Sequence, residues 1–154
     1  MAVAKSFRFP FDPVLRQRRQ EEQTIQRQLA EIVRRQLIVE TRLQEIQNQI
    51  RSGKQDLGIE LLGEVNTTVI RTQANMSIQL DMQARQLALS LAEIYQQVEK
   101  VRKELVHASQ RRRAMEILRE NRYEQWKMDI KKEEEKEQDD MTMTRMANRS
   151  KDGL

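Results

Sequence analysis

Residues 80–108 read LDMQARQLALSLAEIYQQVEKVRKELVHA. Within them Leu80, Ala84, Leu87, Leu91, Ile94, Val98, Val101, Leu105 and Ala108 follow one another in alternating steps of four and three. A repeat of 3.5 residues keeps one seam of an α-helix turned toward a partner helix. A second ladder with the same spacing lies earlier in the chain. It runs Phe11, Leu15, Arg18, Glu22, Ile25, Leu29, Ile32, Gln36, Val39, Leu43, Ile46, Ile50. Gly53, Gly58 and Gly63 fall between the two. Two ladders around a break predict an all-α fold, an antiparallel coiled-coil hairpin of two helices. Such a hairpin offers almost no concavity for chemistry.

Working outward, Pro10 and Pro13 bracket Phe11 and Asp12, and Phe7 and Phe9 precede them. Residues 1–12 are predicted to be extended. Asp12 is a good N-cap and Pro13 suits a first helical position, so helix 1 is placed at 13–51. Gly53 is read as its left-handed cap. Residues 52–66 form the connection. Leu57, Ile59, Leu61, Leu62 and Val65 make it too apolar for a solvated linker; they either seal the tip of the hairpin or dock a partner. Asn66, Thr67, Thr68 and Asn75 are candidate caps for helix 2, placed at 67–140. A mobile tail is expected over 141–154.

The geometry of folding back has a consequence. With the turn centred near residue 58, Leu15 faces residue 101; centred near 63, it faces residue 111. Helix 1 would measure about 55–60 Å and helix 2 about 100 Å. The last third of helix 2 is then expected to lack a partner within the chain. It opens with Arg111, Arg112 and Arg113 and carries Met115, Ile117, Leu118, Tyr123 and Trp126, where the apolar period slips.

Composition narrows the function classes. The chain has 154 residues, 34% charged and 4% aromatic, with a formal net charge of +4 and a pI near 9.6. Acids and bases are interleaved, as in the i,i+4 pairs Glu31–Arg35 and Lys100–Glu104, which support solvated helices. A nucleic-acid binder more often carries an unbalanced basic stripe with interleaved aromatics, so no nucleic-acid partner is expected. Cysteine is absent, which removes disulfides and thiol chemistry. No signal-peptide pattern opens the chain, and no apolar run approaches the ~18 residues needed to span a bilayer.

Catalytic, cofactor and metal sites are not expected. His107 is the only histidine, and a metal centre or a histidine-based acid–base site needs further groups at matching spacing. Glu133 to Glu137 are near-consecutive and solvated, not convergent. Gly53-Lys54 lacks the upstream glycine and following Ser/Thr of a phosphate loop. The chain is therefore read as a non-enzyme. Arg111–Arg113 is either a solvated basic turn or a docking patch for an acidic partner surface.

The opening Phe7-Arg8-Phe9-Pro10-Phe11-Asp12-Pro13-Val14-Leu15, followed by Arg18-Arg19 and Glu21-Glu22, resembles the start of the FliJ family of flagellar type III export proteins. Glu116-Ile117-Leu118-Arg119-Glu120, then Glu133-Glu134, Asp139-Asp140-Met141 and Arg145, is similar to that family's ending. The family often shows Asp-Glu where this chain has Asp139-Asp140. A virulence-secretion (YscO-type) branch is related to it. The resemblance implies a cytoplasmic antiparallel coiled coil, similar to the central stalk of rotary ATPases. It implies three partners at the cytoplasmic face of the inner membrane: a hexameric export ATPase, an export gate protein and export chaperones. Membrane association would be peripheral and only through those partners.

On that resemblance the ATPase-facing residues are Phe11, Leu15, Arg18, Arg111, Arg112, Arg113, Leu118, Arg119, Arg122 and Trp126. The gate-facing residues are Leu57, Leu61, Leu62, Met76 and Leu80. A competing expectation is a structural or adaptor coiled coil that self-associates through its C-terminal helix, by way of Ile117, Leu118 and Trp126.

Overall fold

A computed structural model describes residues 6–153; the predicted extension of residues 1–5 lies outside the described residues. Two helices account for nearly all of the rest: α1, Asp12–Glu60, and α2, Thr67–Asp152. There is no strand among the described residues. The all-α hairpin with a longer second helix is the observed fold.

The boundaries differ from those expected. α1 does not stop at residue 51 but continues to Glu60. Gly53 is not a left-handed cap, since no described glycine has a positive φ. The 4–3 spacing simply continues from Ile50 to Gly53 and Leu57, and all three are half-buried. Each helical glycine costs about 1 kcal/mol relative to alanine, and burying Ile50 and Leu57 on either side outweighs that. The helix closes in a tightened last turn, where Leu62 N–H donates to the Ile59 carbonyl at 3.2 Å and Gly63 N–H to Glu60 at 3.3 Å. Such i→i+3 bonds satisfy carbonyls that a helix end leaves open. The connection therefore shrinks from 52–66 to residues 61–66.

Asn66 begins α2. Its side-chain Oδ1 accepts from Thr68 N–H at 3.1 Å, and its carbonyl accepts from Ile70 N–H at 3.2 Å, the bonds of an N-cap. α2 then runs past residue 140 to Asp152, so the segment expected as a mobile tail is helical. The acids at 133–140 oppose a helix macrodipole only near a C-terminus. Here they sit mid-helix, and the last turn carries Arg149 and Lys151 instead.

The chain forms two compact units, one of Met1–Glu21 with Ala108–Leu154 and one of Glu22–His107. In the Glu22–His107 unit, α1 and α2 run antiparallel and Tyr95 Oη donates to Glu40 Oε1 at 2.7 Å. Ile46, Ile94, Val98 and Val101 are its buried apolar residues, and the Glu22 rung is buried as well. The seam rungs Gln73, Ser77, Leu80, Ala84, Leu87 and Leu91 are half-buried. The second ladder thus begins earlier than its apolar members suggested.

In the other unit, residues 6–9 are non-helical, residues 10 and 11 form a turn, and this segment precedes α1. Phe9, Leu15 and Ala108 are buried. Asp12 meets Arg119 at 3.4 Å and Arg19 meets Glu116 at 3.5 Å. Leu15 therefore lies near residue 119, not 101 or 111. Because the N-terminal segment extends this pairing, α2 is covered as far as Ile130. The exposed end is not the final third of α2; it is the shorter stretch from residue 131 to residue 152, every residue of which is exposed.

Candidate docking surface

The unit built from the chain's first residues and the second half of α2 has two unlike faces. Residues spaced i, i+4, i+7 and i+11 share one stripe of a helix, so Arg112, Glu116, Arg119 and Tyr123 line one side of α2. Asp12 and Arg19, seven apart, line the matching side of α1. Glu116 is the centre of this side. Arg112 Nη1 donates to its Oε2 at 2.7 Å, Arg19 Nη2 approaches its Oε1 at 3.5 Å, and Arg113 lies 3.6 Å away. Partial burial pushes the Glu116 carboxyl up, and the hydrogen bonds and charge of Arg112 and Arg19 more than reverse this, holding it below the usual range.

The N-terminal segment closes over the same side. The Phe7 ring meets Tyr123 edge-on with centroids 5.2 Å apart and Trp126 at 5.8 Å. Tyr123 and Trp126 stack at 5.7 Å. The Arg119 guanidinium lies over the Phe7 ring, 5.6 Å from its centroid, while its Nε holds Asp12. A cation shared between a ring and a carboxylate ties the segment to both helices. This side is used up by intramolecular contacts.

The opposite side is open. Arg111, Leu118 and Arg122 are spaced by seven and four on α2, and Phe11 and Arg18 by seven on α1. Phe11 is 43% exposed, and its ring edge meets Phe9 at 5.8 Å. Arg18 pairs with Glu21 at 3.1 Å. Arg111 and Arg122 are exposed and form no ion pair with the described residues. Leu118 is half-buried between them in sequence. An apolar strip edged by two uncommitted guanidinium groups is the chemistry of a surface that receives an amphipathic, acidic segment.

The ten residues expected to face one partner thus fall into three groups. Phe11, Arg18, Arg111, Leu118 and Arg122 share the open side. Leu15 is only 2% exposed and belongs to the core. Arg112, Arg113, Arg119 and Trp126 are engaged in the ion-pair and aromatic contacts just described. Sequence reasoning missed Phe7, Asp12, Glu116 and Tyr123 as organisers. Their signal was the aromatic count: five of the chain's six aromatic residues lie in this unit.

In the Glu22–His107 unit, the second expected set is also divided. Leu57 and Leu80 are half-buried on the seam. Leu61, Leu62 and Met76 are exposed, Leu62 at 89%, so the apolar connection does not seal the hairpin's end. Beside Met76 and Leu80 the seam is thin. A groove of about 400 Å³ is lined there by Gln49, Ser52, Gly53 and Gln73 among others, and Gln73 Oε1 is buried without a hydrogen-bond partner. His107 borders a shallow groove with Tyr95. Among the described residues, no cluster of His, Cys, Asp or Glu could hold a metal ion, and no helix is long and apolar enough to cross a membrane.

The family model described as "Flagellar FliJ protein" matches residues 7–151. No curated protein and no solved structure gives a significant match.

Proposed function

Because the chain belongs to the FliJ family of flagellar export proteins, matched from residue 7 to residue 151, we propose that it is a non-enzymatic stalk of the export apparatus. It binds the hexameric export ATPase through the open side formed by Phe11, Arg18, Arg111, Leu118 and Arg122. The observation that carries this reading is the contrast between the two sides of that unit. One side is consumed by Glu116 and Phe7, whereas the other keeps Arg111 and Arg122 uncommitted beside an exposed Phe11.

The exposed Leu61, Leu62 and Met76 supply a separate apolar surface for the export gate, and export chaperones are handed on at the same machinery. The protein works in the cytoplasm at the flagellar base and reaches the membrane only through these partners.

The test is hydrolysis by the cognate ATPase under conditions where it forms hexamers. The wild-type chain is expected to bind it and raise its turnover. Arg111→Glu with Arg122→Glu is expected to weaken binding by about tenfold or more, since two charge reversals of this kind cost upward of 1.4 kcal/mol. Neither binding nor stimulation by the wild-type chain would sink the proposal. Full activity in the double variant would move the surface elsewhere.

A further inference from the structure

The stretch of α2 from Lys131 to Asp152 has a charge order that the function above does not use. It is helical, fully exposed and about 33 Å long. Six acids (Glu133, Glu134, Glu135, Glu137, Asp139 and Asp140) against three lysines make its first part net negative, and Arg145, Arg149 and Lys151 against Asp152 make its last part net positive. Glu135, Asp139, Arg145 and Arg149 form no ion pair with the described residues.

The order is complementary to its own reverse. Lys131, Glu135, Gln138, Thr142, Arg145 and Arg149 are spaced 4, 3, 4, 3 and 4, so they lie on one stripe, and Asp152 continues it three residues on. Laid against an inverted copy centred on Thr142, Glu135 meets the partner's Arg149 and Gln138 comes within one residue of the partner's Arg145. Lys131 comes within one residue of the partner's Asp152. Two-fold symmetry makes every one of these pairs twice. A parallel arrangement sets Glu135 against Glu135 and Arg149 against Arg149, which is repulsive. The partner that this charge order fits best is therefore a second copy of the chain.

We infer that two copies pair antiparallel through residues 131–152, with Thr142 at the two-fold axis and the Glu135–Arg149 ion pair, made twice, setting the register. The pairs are solvent-exposed, so the contact is weak, formed at low ionic strength and lost as salt rises. It is distinct from the Phe11–Arg122 side and stands whether or not that side binds an ATPase.

The chain has no cysteine, which permits a direct test on the full-length protein. Thr142→Cys places a thiol on the axis. Thr144→Cys, two residues on, points about 200° away around the helix. Under a mild oxidant at about 50 mM salt, Thr142→Cys is expected to form a disulfide-linked dimer at least tenfold faster than Thr144→Cys. About 0.5 M salt is expected to erase the difference. Within Thr142→Cys, reversal of the base (Arg149→Glu) or of the acid (Glu135→Arg) is expected to abolish cross-linking. Mixing the two reversed chains restores every pair and is expected to restore the rate. Circular dichroism of each variant checks that the helix persists. Equal rates for the two cysteine positions, or a mixture no faster than its components, overturns the proposal.

Discussion

The two units solve the same problem with different materials. The Glu22–His107 unit is held by the ladder: Ile46, Ile94, Val98 and Val101 are buried, and Tyr95 hydrogen-bonds Glu40 across the helices. The unit of the chain's start and end has few aliphatic rungs. Leu15 and Ala108 are buried, Arg112 occupies a rung, and most of the binding comes from aromatic rings and from carboxylates bridged by arginine. The difference teaches where each is vulnerable. A ladder has no redundancy, because every rung faces only one partner helix. A cluster shares its contacts among several groups, so losing one leaves others in place.

The largest expected effect comes from removing a rung. Ile46 is 1% exposed, and Ile46→Ala is expected to cost about 2–4 kcal/mol in chemical denaturation followed by circular dichroism. Leu37, exposed and off the seam, is the control, with Leu37→Ala expected to cost less than about 0.5 kcal/mol. Equal costs at the two positions would break the description of this unit as a ladder.

A smaller effect is expected in the aromatic cluster. Phe7→Ala removes the ring that meets Tyr123, Trp126 and Arg119 together. The loss is expected to be about 1–2 kcal/mol, combining partial burial with aromatic pairing. Trp126 is the only tryptophan, so the change is readable as a red-shifted emission with helical content retained. An unchanged emission spectrum would mean that the segment before α1 does not hold the cluster.

Much of this was legible in advance. Each rung of the first ladder from Leu15 to Ile50 is buried or half-buried, because a 3.5-residue period can satisfy only one seam. What the ladder could not convey is its own register. A pattern that repeats every seven residues slides by seven without exposing its apolar members, so fold-backs centred near 58 or 63 were as acceptable as the true one. Only cross-helix pairs such as Asp12–Arg119 and Glu40–Tyr95 distinguish them. Gly53, Gln73 and Ser77 were illegible for another reason: they occupy rungs without being apolar. The open side of the docking unit was half visible, since arginines announce themselves in a sequence but their prior engagement does not. Phe7 belongs to a segment with no helical period, and only the shared aromatic character of Phe7, Tyr123 and Trp126 pointed to what it covers.

The smallest expected effect sharpens the contrast at its electrostatic end. Glu116 titrates below the ordinary carboxylate value of 4.5 because Arg112 and Arg19 favour its charged form over the cost of partial burial. A depressed native pKa means that the unfolded chain takes up the proton first as pH falls. The stabilisation is therefore complete above the ordinary value and is lost as pH drops below about 4.5 toward the native pKa. Glu116→Gln is expected to remove this slope and lower stability slightly at neutral pH, with Trp126 emission as the local readout. Glu40 is also depressed, first by the hydrogen bond from Tyr95 and then by that from Gln36, but the Tyr95 contact lies on an exposed surface. Tyr95→Phe is accordingly expected to return the Glu40 titration toward its ordinary value, seen by NMR, with no measurable change in unfolding midpoint. A stability change in Tyr95→Phe as large as that in Glu116→Gln would erase the distinction between a unit held by its ladder and one held by its polar network.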